Sequence, residues 1–142
     1  MAIEPHAEHF AHGADVGVRG VGRNRSEAFE QAALALSKII IDDPAALKHE
    51  RSVHIECEAP NDALLLVDWL NALIYRMAVD HLVFGRFQVA IDGNLLHGEA
   101  WGESIDRFRH APAVEPKGAT YTGLQVAQQG DGSWVAQCVV DV

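Results

Sequence analysis

Residues 64–77, LLLVDWLNALIYRM, carry the most regular apolar pattern in the chain and decide its fold class. Their apolar side chains recur every two to four residues and cover one broad face of a helix. The positions on this face are Leu64, Leu66, Val67, Leu70, Leu73, Ile74 and Met77. A face this wide is typical of a helix that packs against other elements along most of its length. The pattern therefore predicts the most buried helix of the protein, lying across a sheet.

An earlier helix is predicted over about residues 25–42. Asn24 is followed three residues later by Glu27, the capping-box spacing in which each side chain satisfies a backbone N–H of the first turn. Apolar residues then recur at helical spacing from Phe29 to Ile40. The pattern ends at residues 42–44, Asp-Asp-Pro, which cannot continue a helix.

The remaining segments show strand signals. Residues 51–58, RSVHIECE, alternate apolar and polar side chains as a half-buried strand does, and residues 6–22 favour an extended chain. Glycine-containing turns at 92–94 and 130–132 each separate two extended segments, which predicts two hairpins. The order of elements predicts an α+β fold, with a mainly antiparallel β-sheet packed with two α-helices in a single domain over residues 1–142.

Composition excludes some classes of function. The chain has 142 residues, of which 49% are hydrophobic and 22% charged, as expected of a globular domain. Eleven Lys and Arg residues against twenty Asp and Glu residues leave a net charge of -9. This sign is wrong for a protein that binds nucleic acid by neutralising phosphates. Unaided binding of nucleic acid is therefore not expected.

Apolar runs are too short for a membrane span. The longest, residues 32–36 and 63–67, are far below the roughly 20 residues that a spanning helix needs. The N-terminus has no basic start followed by an apolar stretch, so we predict a cytoplasmic protein. In that compartment the two cysteines, Cys57 and Cys138, are expected to be small buried apolar residues rather than a disulfide.

Two aspartates near strand ends suggest a site for a hard cation. Asp15 lies in the glycine-flanked run HGADVG, and Asp141 precedes Val142, whose free carboxylate adds another anion. Ca²⁺ binds carboxylate and carbonyl oxygens in irregular numbers, so Asp15, Asp141 and Val142 would suit Ca²⁺ or another hard divalent cation. The alternative is that both aspartates are simple surface or capping residues. Lys117 lies just before a predicted strand. Its side chain is either functional or an ordinary solvated lysine.

Five separated blocks of the chain resemble the archease family. They are residues 12–20 (HGADVGVRG), 65–71 (LLVDWLN), 102–110 (GESIDRFRH), 115–121 (EPKGATY) and 139–142 (VVDV). The blocks occur in order and are distributed along the chain from residue 12 to residue 142. Five positions depart from the family pattern, namely Gly13, Ala63, Ala72, Pro116 and Thr122. Pro116 also removes a backbone donor, which predicts an edge or a bend just before Lys117.

The resemblance implies a metal-binding accessory protein, not an enzyme, that activates a GTP-dependent RNA ligase of the RtcB type in tRNA splicing and RNA repair. Such proteins promote guanylylation of the ligase and its multiple turnover. The family's functional residues correspond here to Asp15, Lys117 and Asp141. An acidic protein can dock on a basic RNA-binding ligase and leave the RNA contacts to its partner.

Two other functions remain open from the sequence. One is a chaperone-like modulator of other RNA-modifying enzymes, such as a tRNA methyltransferase. The other is a stand-alone metal-dependent hydrolase, which would need a general base such as Glu103, Asp106 or His110.

Overall fold

The computed structural model describes residues 3–142 and confirms the predicted α+β class. The helices, strands and one short 3-10 helix follow one another in the order β1 (His6–His12), β2 (Asp15–Gly22), α1 (Arg25–Ile40), the 3-10 helix (Pro44–Ala46), β3 (Arg51–Glu58), α2 (Asp62–Asp80), β4 (Leu82–Asp92), β5 (Leu95–Ser104), α3 (Arg107–His110), β6 (Gly118–Ala119), β7 (Gln125–Gln128) and β8 (Trp134–Asp141). No helix in this part of the chain is both long and apolar enough to cross a membrane.

The strands form two sheets in which every pair is antiparallel. The first sheet has the order β1-β2-β8-β6, with β7 also pairing with β8, and the second has the order β3-β5-β4. Both predicted hairpins are present, because β4 pairs with β5 and β7 pairs with β8. Helices α1 and α2 each contact strands of both sheets, so the main core lies where the helices meet the two sheets.

The expectation that the second long helix is the most buried is wrong. Helix α1 exposes only Lys38, whereas α2 exposes four residues, namely Asp68, Tyr75, Ala78 and Val79. The reason is that α1 is rich in alanine, whose small side chains allow the neighbouring strand β2 to pack close to the helix backbone. A Cβ atom added to Gly20 of β2 would lie 2.0 Å from the backbone oxygen of Ala28. Alanine gives a weak hydrophobic signal, so the sequence pattern understated the burial of α1.

Half of the predicted capping box at α1 is present. The N–H of Glu27 donates to the Asn24 side chain at 2.9 Å, as predicted. The Glu27 carboxylate, however, accepts from the backbone N–H of Arg23 at 2.8 Å rather than from Asn24. The guanidinium of Arg23 also pairs with this carboxylate, which lowers the pKa of Glu27 and explains why the side chain turns to the earlier residue.

Trp69 joins the two helices to the second sheet. Its side chain is fully buried, and its indole N–H donates to the backbone oxygen of Phe29 in α1 at 3.1 Å. The ring lies over Gly98 of β5, where an added Cβ atom would come within 2.4 Å of it. Its contact with Phe87 of β4 is edge to face, with ring centroids 6.3 Å apart.

Both cysteines are free thiols, as predicted. Cys138 is fully buried in β8, and Cys57 is partly buried in β3. Burial raises the pKa of each thiol to about 11. A smaller contribution at Cys57 comes from the negative charge of Asp68. Neither cysteine is therefore suited to act as a nucleophile near neutral pH.

Candidate functional site

One end of the first sheet brings together Asp15, Asp141 and Val142. Val16 of β2 pairs with Val140 of β8, so one further step in register places Asp15 beside Asp141 on the same face. The backbone N–H of Val142 donates to Oδ1 of Asp15 at 3.3 Å. The structure therefore joins residues from opposite ends of the sequence at this position.

A tight turn sets the position of Asp15. Strands β1 and β2 are joined through Gly13 and Ala14, with His12 paired to Asp15. Gly13 has a φ of +58° at the first of these two central residues, where a type II′ hairpin turn favours glycine. The glycine that departs from the family pattern thus supplies the backbone conformation that begins β2 at Asp15.

Lys117 is tied to the same end of the sheet through its backbone. Its N–H donates to the carbonyl oxygen of Asp141 at 2.8 Å, directly before Gly118 pairs with Asp141. The Lys117 side chain is exposed. Pro116 precedes the two-residue strand β6 at the edge of the sheet, which confirms the prediction made from its missing donor.

Asn71 of α2 holds the segment that carries Lys117, and sequence reasoning did not identify this role. Its Oδ1 atom accepts from the backbone N–H of Ala119 at 2.8 Å, and its Nδ2 atom donates to the Ala119 carbonyl at 3.3 Å. The Thr120 hydroxyl adds a bond to the carbonyl of Val139 at 2.9 Å. The available signal was an amide side chain within an apolar helix, where a polar group needs a partner. By contrast, Asp68 in the same helix points to solvent.

The donors at this end of the sheet are oxygens. Only Oδ1 of Asp15 accepts the hydrogen bond from Val142, so Oδ2 of Asp15 takes no part in that bond. The Asp141 side chain is exposed, and the backbone of residues 141–142 adds carbonyl oxygen atoms. Within residues 3–142, neither aspartate belongs to a compact group of three His, Cys, Asp or Glu ligands. This donor set fits a hard cation that completes its coordination with main-chain oxygens and water, as Ca²⁺ does. It fits zinc less well, because zinc sites usually include histidine nitrogen or cysteine sulfur and this set has neither.

The candidate general bases have structural contacts instead. Glu103 is only 3% exposed, accepts from the backbone N–H of Lys48 at 2.6 Å and contacts the side chains of Arg109 and His110. Burial, together with the neighbouring Arg109 charge, lowers the pKa of His110. Asp106 caps α3 by accepting from two backbone N–H groups. Glu103 lies in β5 of the second sheet and Asp106 and His110 lie at α3, whereas Asp15 begins β2 of the first sheet.

Known proteins match nearly all of the chain. The model of the Archease protein family matches residues 8–142. Protein archease of Pyrococcus furiosus is 40% identical over 141 residues, covering 95% of this chain and 97% of that protein. The resemblance carried by the five sequence blocks is therefore confirmed.

Two solved structures share the fold. The solution structure of Methanobacterium thermoautotrophicum protein 1598 is 29% identical with a TM-score of 0.81, covering 96% of this chain and 98% of that one. A Thermotoga maritima protein described as an archease and possible chaperone is 16% identical with a TM-score of 0.58, covering 94% of each chain, and supports the fold alone. Together with the family match, these findings lead to one conclusion: this chain belongs to the archease family.

Proposed function

We propose that the protein is a metal-binding accessory protein that activates an RtcB-type GTP-dependent RNA ligase in tRNA splicing and RNA repair. It would promote guanylylation of the ligase and its multiple turnover. The observation that carries this proposal is the meeting of Asp15, Asp141 and the Lys117 backbone at one end of the first sheet. These residues are far apart in the sequence, and their proximity in the fold would allow one partner to contact them together.

The metal would be held by the side chains of Asp15 and Asp141 and by main-chain oxygen of Val142. Bound there, Ca²⁺ or another hard divalent cation would neutralise two neighbouring carboxylates and join the start of β2 to the end of β8. The protein's own contribution is to hold these oxygens near one another, through the β2-β8 pairing and the bond from Val142 to Asp15.

Lys117 would be the functional cation. Its backbone is anchored to Asp141, while its ammonium group is exposed and therefore accessible to a partner. An ammonium group is a flexible point charge that can pair with a carboxylate or a phosphate. We assign it to the contact with the ligase, and we assign no catalytic residue to this chain.

Net charge supports a protein partner rather than direct RNA binding. The chain carries -9, so its long-range field would favour docking on a basic surface such as that of an RNA-binding enzyme. In this arrangement the ligase contacts the RNA, and the accessory protein contacts the ligase.

The experiment that tests this function is a guanylylation and turnover assay of a cognate RtcB-type ligase, with and without the protein. We expect faster guanylylation and more than one turnover only when the protein is present. A ligase that turns over equally well alone and with the protein would contradict the proposal.

Direct binding of tRNA by the isolated protein is a separate test. We expect it to be weaker than that of typical non-specific binders, whose dissociation constants are roughly 10⁻⁴ to 10⁻⁶ M.

A second candidate is a chaperone-like modulator of other RNA-modifying enzymes, such as a tRNA methyltransferase. Three exposed aromatic residues favour it, since Tyr75, Phe108 and Tyr121 are 64%, 101% and 70% exposed. Exposed aromatic side chains are common where proteins meet. A binding assay against both enzyme classes distinguishes the candidates, because preferential capture of the methyltransferase would favour this one.

A further inference from the structure

The second sheet carries a group of metal-binding side chains that the proposed function does not use. His54 and Glu56 lie two residues apart on β3, so they share one face of the strand. Glu56 pairs with His97 of the neighbouring strand β5, which places all three side chains on that face. All three residues are exposed, whereas the alternating residues Val53 and Ile55 are buried in the core.

The three side chains are close enough to bind one ion. Their ligand atoms all lie within 4.8 Å of one another. Nδ1 of His97 is 3.0 Å from a carboxylate oxygen of Glu56, and the ring centroids of His54 and His97 are 5.9 Å apart. Metal–nitrogen bonds of about 2.0 to 2.1 Å in tetrahedral geometry require ligand atoms about 3.3 Å apart. Shifts of roughly 1 Å, within the range of exposed side-chain rotation, would therefore close the site.

The backbone beneath these side chains is held in place. β5 is the central strand of the sheet and pairs with β3 on one side and β4 on the other. Leu96 and Gly98, which flank His97, are buried, and Gly98 lies against Trp69. A site built in the middle of paired strands keeps its ligand spacing better than one built on a loop.

Donor chemistry distinguishes this group from the oxygen site of the first sheet. Two imidazoles and one carboxylate suit zinc and similar divalent transition metals, whereas Ca²⁺ prefers oxygen alone. Glu99 lies directly across from His54 in register and adds negative charge to the same face. Two histidines of β1 have other partners, since His6 binds Glu8 and His9 bonds to the backbone oxygen of Ala35.

We propose that His54, Glu56 and His97 form a second metal site, which binds Zn²⁺ or a similar divalent transition metal on the outer face of the second sheet. Three protein ligands leave the remaining coordination open to water, because the site faces solvent. The site is independent of the oxygen donors at Asp15 and Asp141, which lie on the other sheet.

Calorimetry of the full chain with Zn²⁺ in the presence of excess Ca²⁺ tests this site. We expect one zinc ion to bind, with affinity at least about tenfold lower in His54→Ala and in His97→Ala. Glu56→Gln should also weaken binding, because an amide is a poorer ligand than a carboxylate. All three changed side chains are exposed, so melting curves should remain those of the unchanged protein.

The controls separate this site from others. His49→Ala removes another exposed histidine just before β3 and should leave the zinc affinity unchanged. Asp141→Asn should leave it unchanged as well. The proposal is overturned if wild-type protein binds no zinc, if His54→Ala and His97→Ala bind zinc as well as wild type, or if His49→Ala or Asp141→Asn reduces the affinity equally.

Discussion

The end of the first sheet and the outer face of the second sheet hold possible metal ligands in different ways. At the first, Asp15 and Val142 are joined across 127 residues of sequence, with ligands at the ends of strands. At the second, His54, Glu56 and His97 lie in the middle of two neighbouring strands. Strand ends can supply backbone carbonyl oxygens to a cation, because their backbone groups are not all used in strand pairing. The mid-strand group offers three side chains, and the β3-β5 pairing fixes their spacing.

The largest expected effect comes from the core that supports both regions. Leu70→Ala in α2 removes a fully buried side chain and should lower the free energy of unfolding by about 2 to 5 kcal/mol. Metal binding at the end of the first sheet and on the outer face of the second sheet should then fall only in proportion to the fraction of unfolded protein. Urea unfolding followed by circular dichroism measures the change. A cost near zero would mean that α2 is less tightly packed than described.

Asn71→Ala should separate the two regions. Removing the amide leaves the N–H and the carbonyl of Ala119 without their partner, at a cost of about 1 to 3 kcal/mol. Ligase activation should fall because the segment carrying Lys117 is loosened, while zinc affinity at the second sheet should not change. Asp68→Ala, an exposed change in the same helix, is the control and should affect neither. Equal loss at both regions in Asn71→Ala would contradict the separation.

Calcium binding should depend on the first region alone. Calorimetry is expected to show Ca²⁺ binding to the unchanged protein, loss of that binding in Asp141→Ala, and no change in His97→Ala. The exposed Asp42→Ala variant controls for the general loss of one negative charge. Calcium binding that survives in Asp141→Ala would exclude this residue as a ligand.

The smallest effect concerns the cysteines, one in each sheet. With a thiol pKa of about 11, only about a thousandth of each cysteine is thiolate at pH 8, so alkylation of the native protein should be slow. Asp68→Asn removes a charge that raises the pKa of Cys57, and should speed labelling of Cys57 by less than about tenfold without affecting Cys138. Mass spectrometry of timed samples measures both rates. Equal acceleration at the two cysteines would contradict the assigned cause.

The sequence predicted those features that depend on neighbouring residues. The helical stripe of α2, the cap at Asn24 and the turn at Gly93 all follow from short spacings, and the structure contains each of them. The division into two sheets could not be predicted, because alternation shows that a segment is a strand and not which strand it pairs with.

The same limit applies to the candidate sites. His54 and Glu56 share a face by their spacing, but His97 joins them only through the β3-β5 register. The hydrogen bonds of Asn71 likewise depend on where β6 lies. The meeting of Asp15 with Asp141 also depends on strand pairing. Their positions near strand ends suggested a shared cation site, and the family resemblance implied a functional role, but only the β2-β8 register shows that the two aspartates are neighbours.

The role of this end of the first sheet in ligase activation is tested most directly by measuring whether Asp15→Ala and Lys117→Ala stimulate guanylylation of a cognate RtcB-type ligase. Lys38→Ala, which removes the exposed lysine of α1, is the matched control. We predict that both site variants melt like the unchanged protein yet fail to stimulate guanylylation and multiple turnover, while Lys38→Ala stimulates normally. If the two site variants activate the ligase as well as the unchanged protein does, this end of the first sheet is not the activating site.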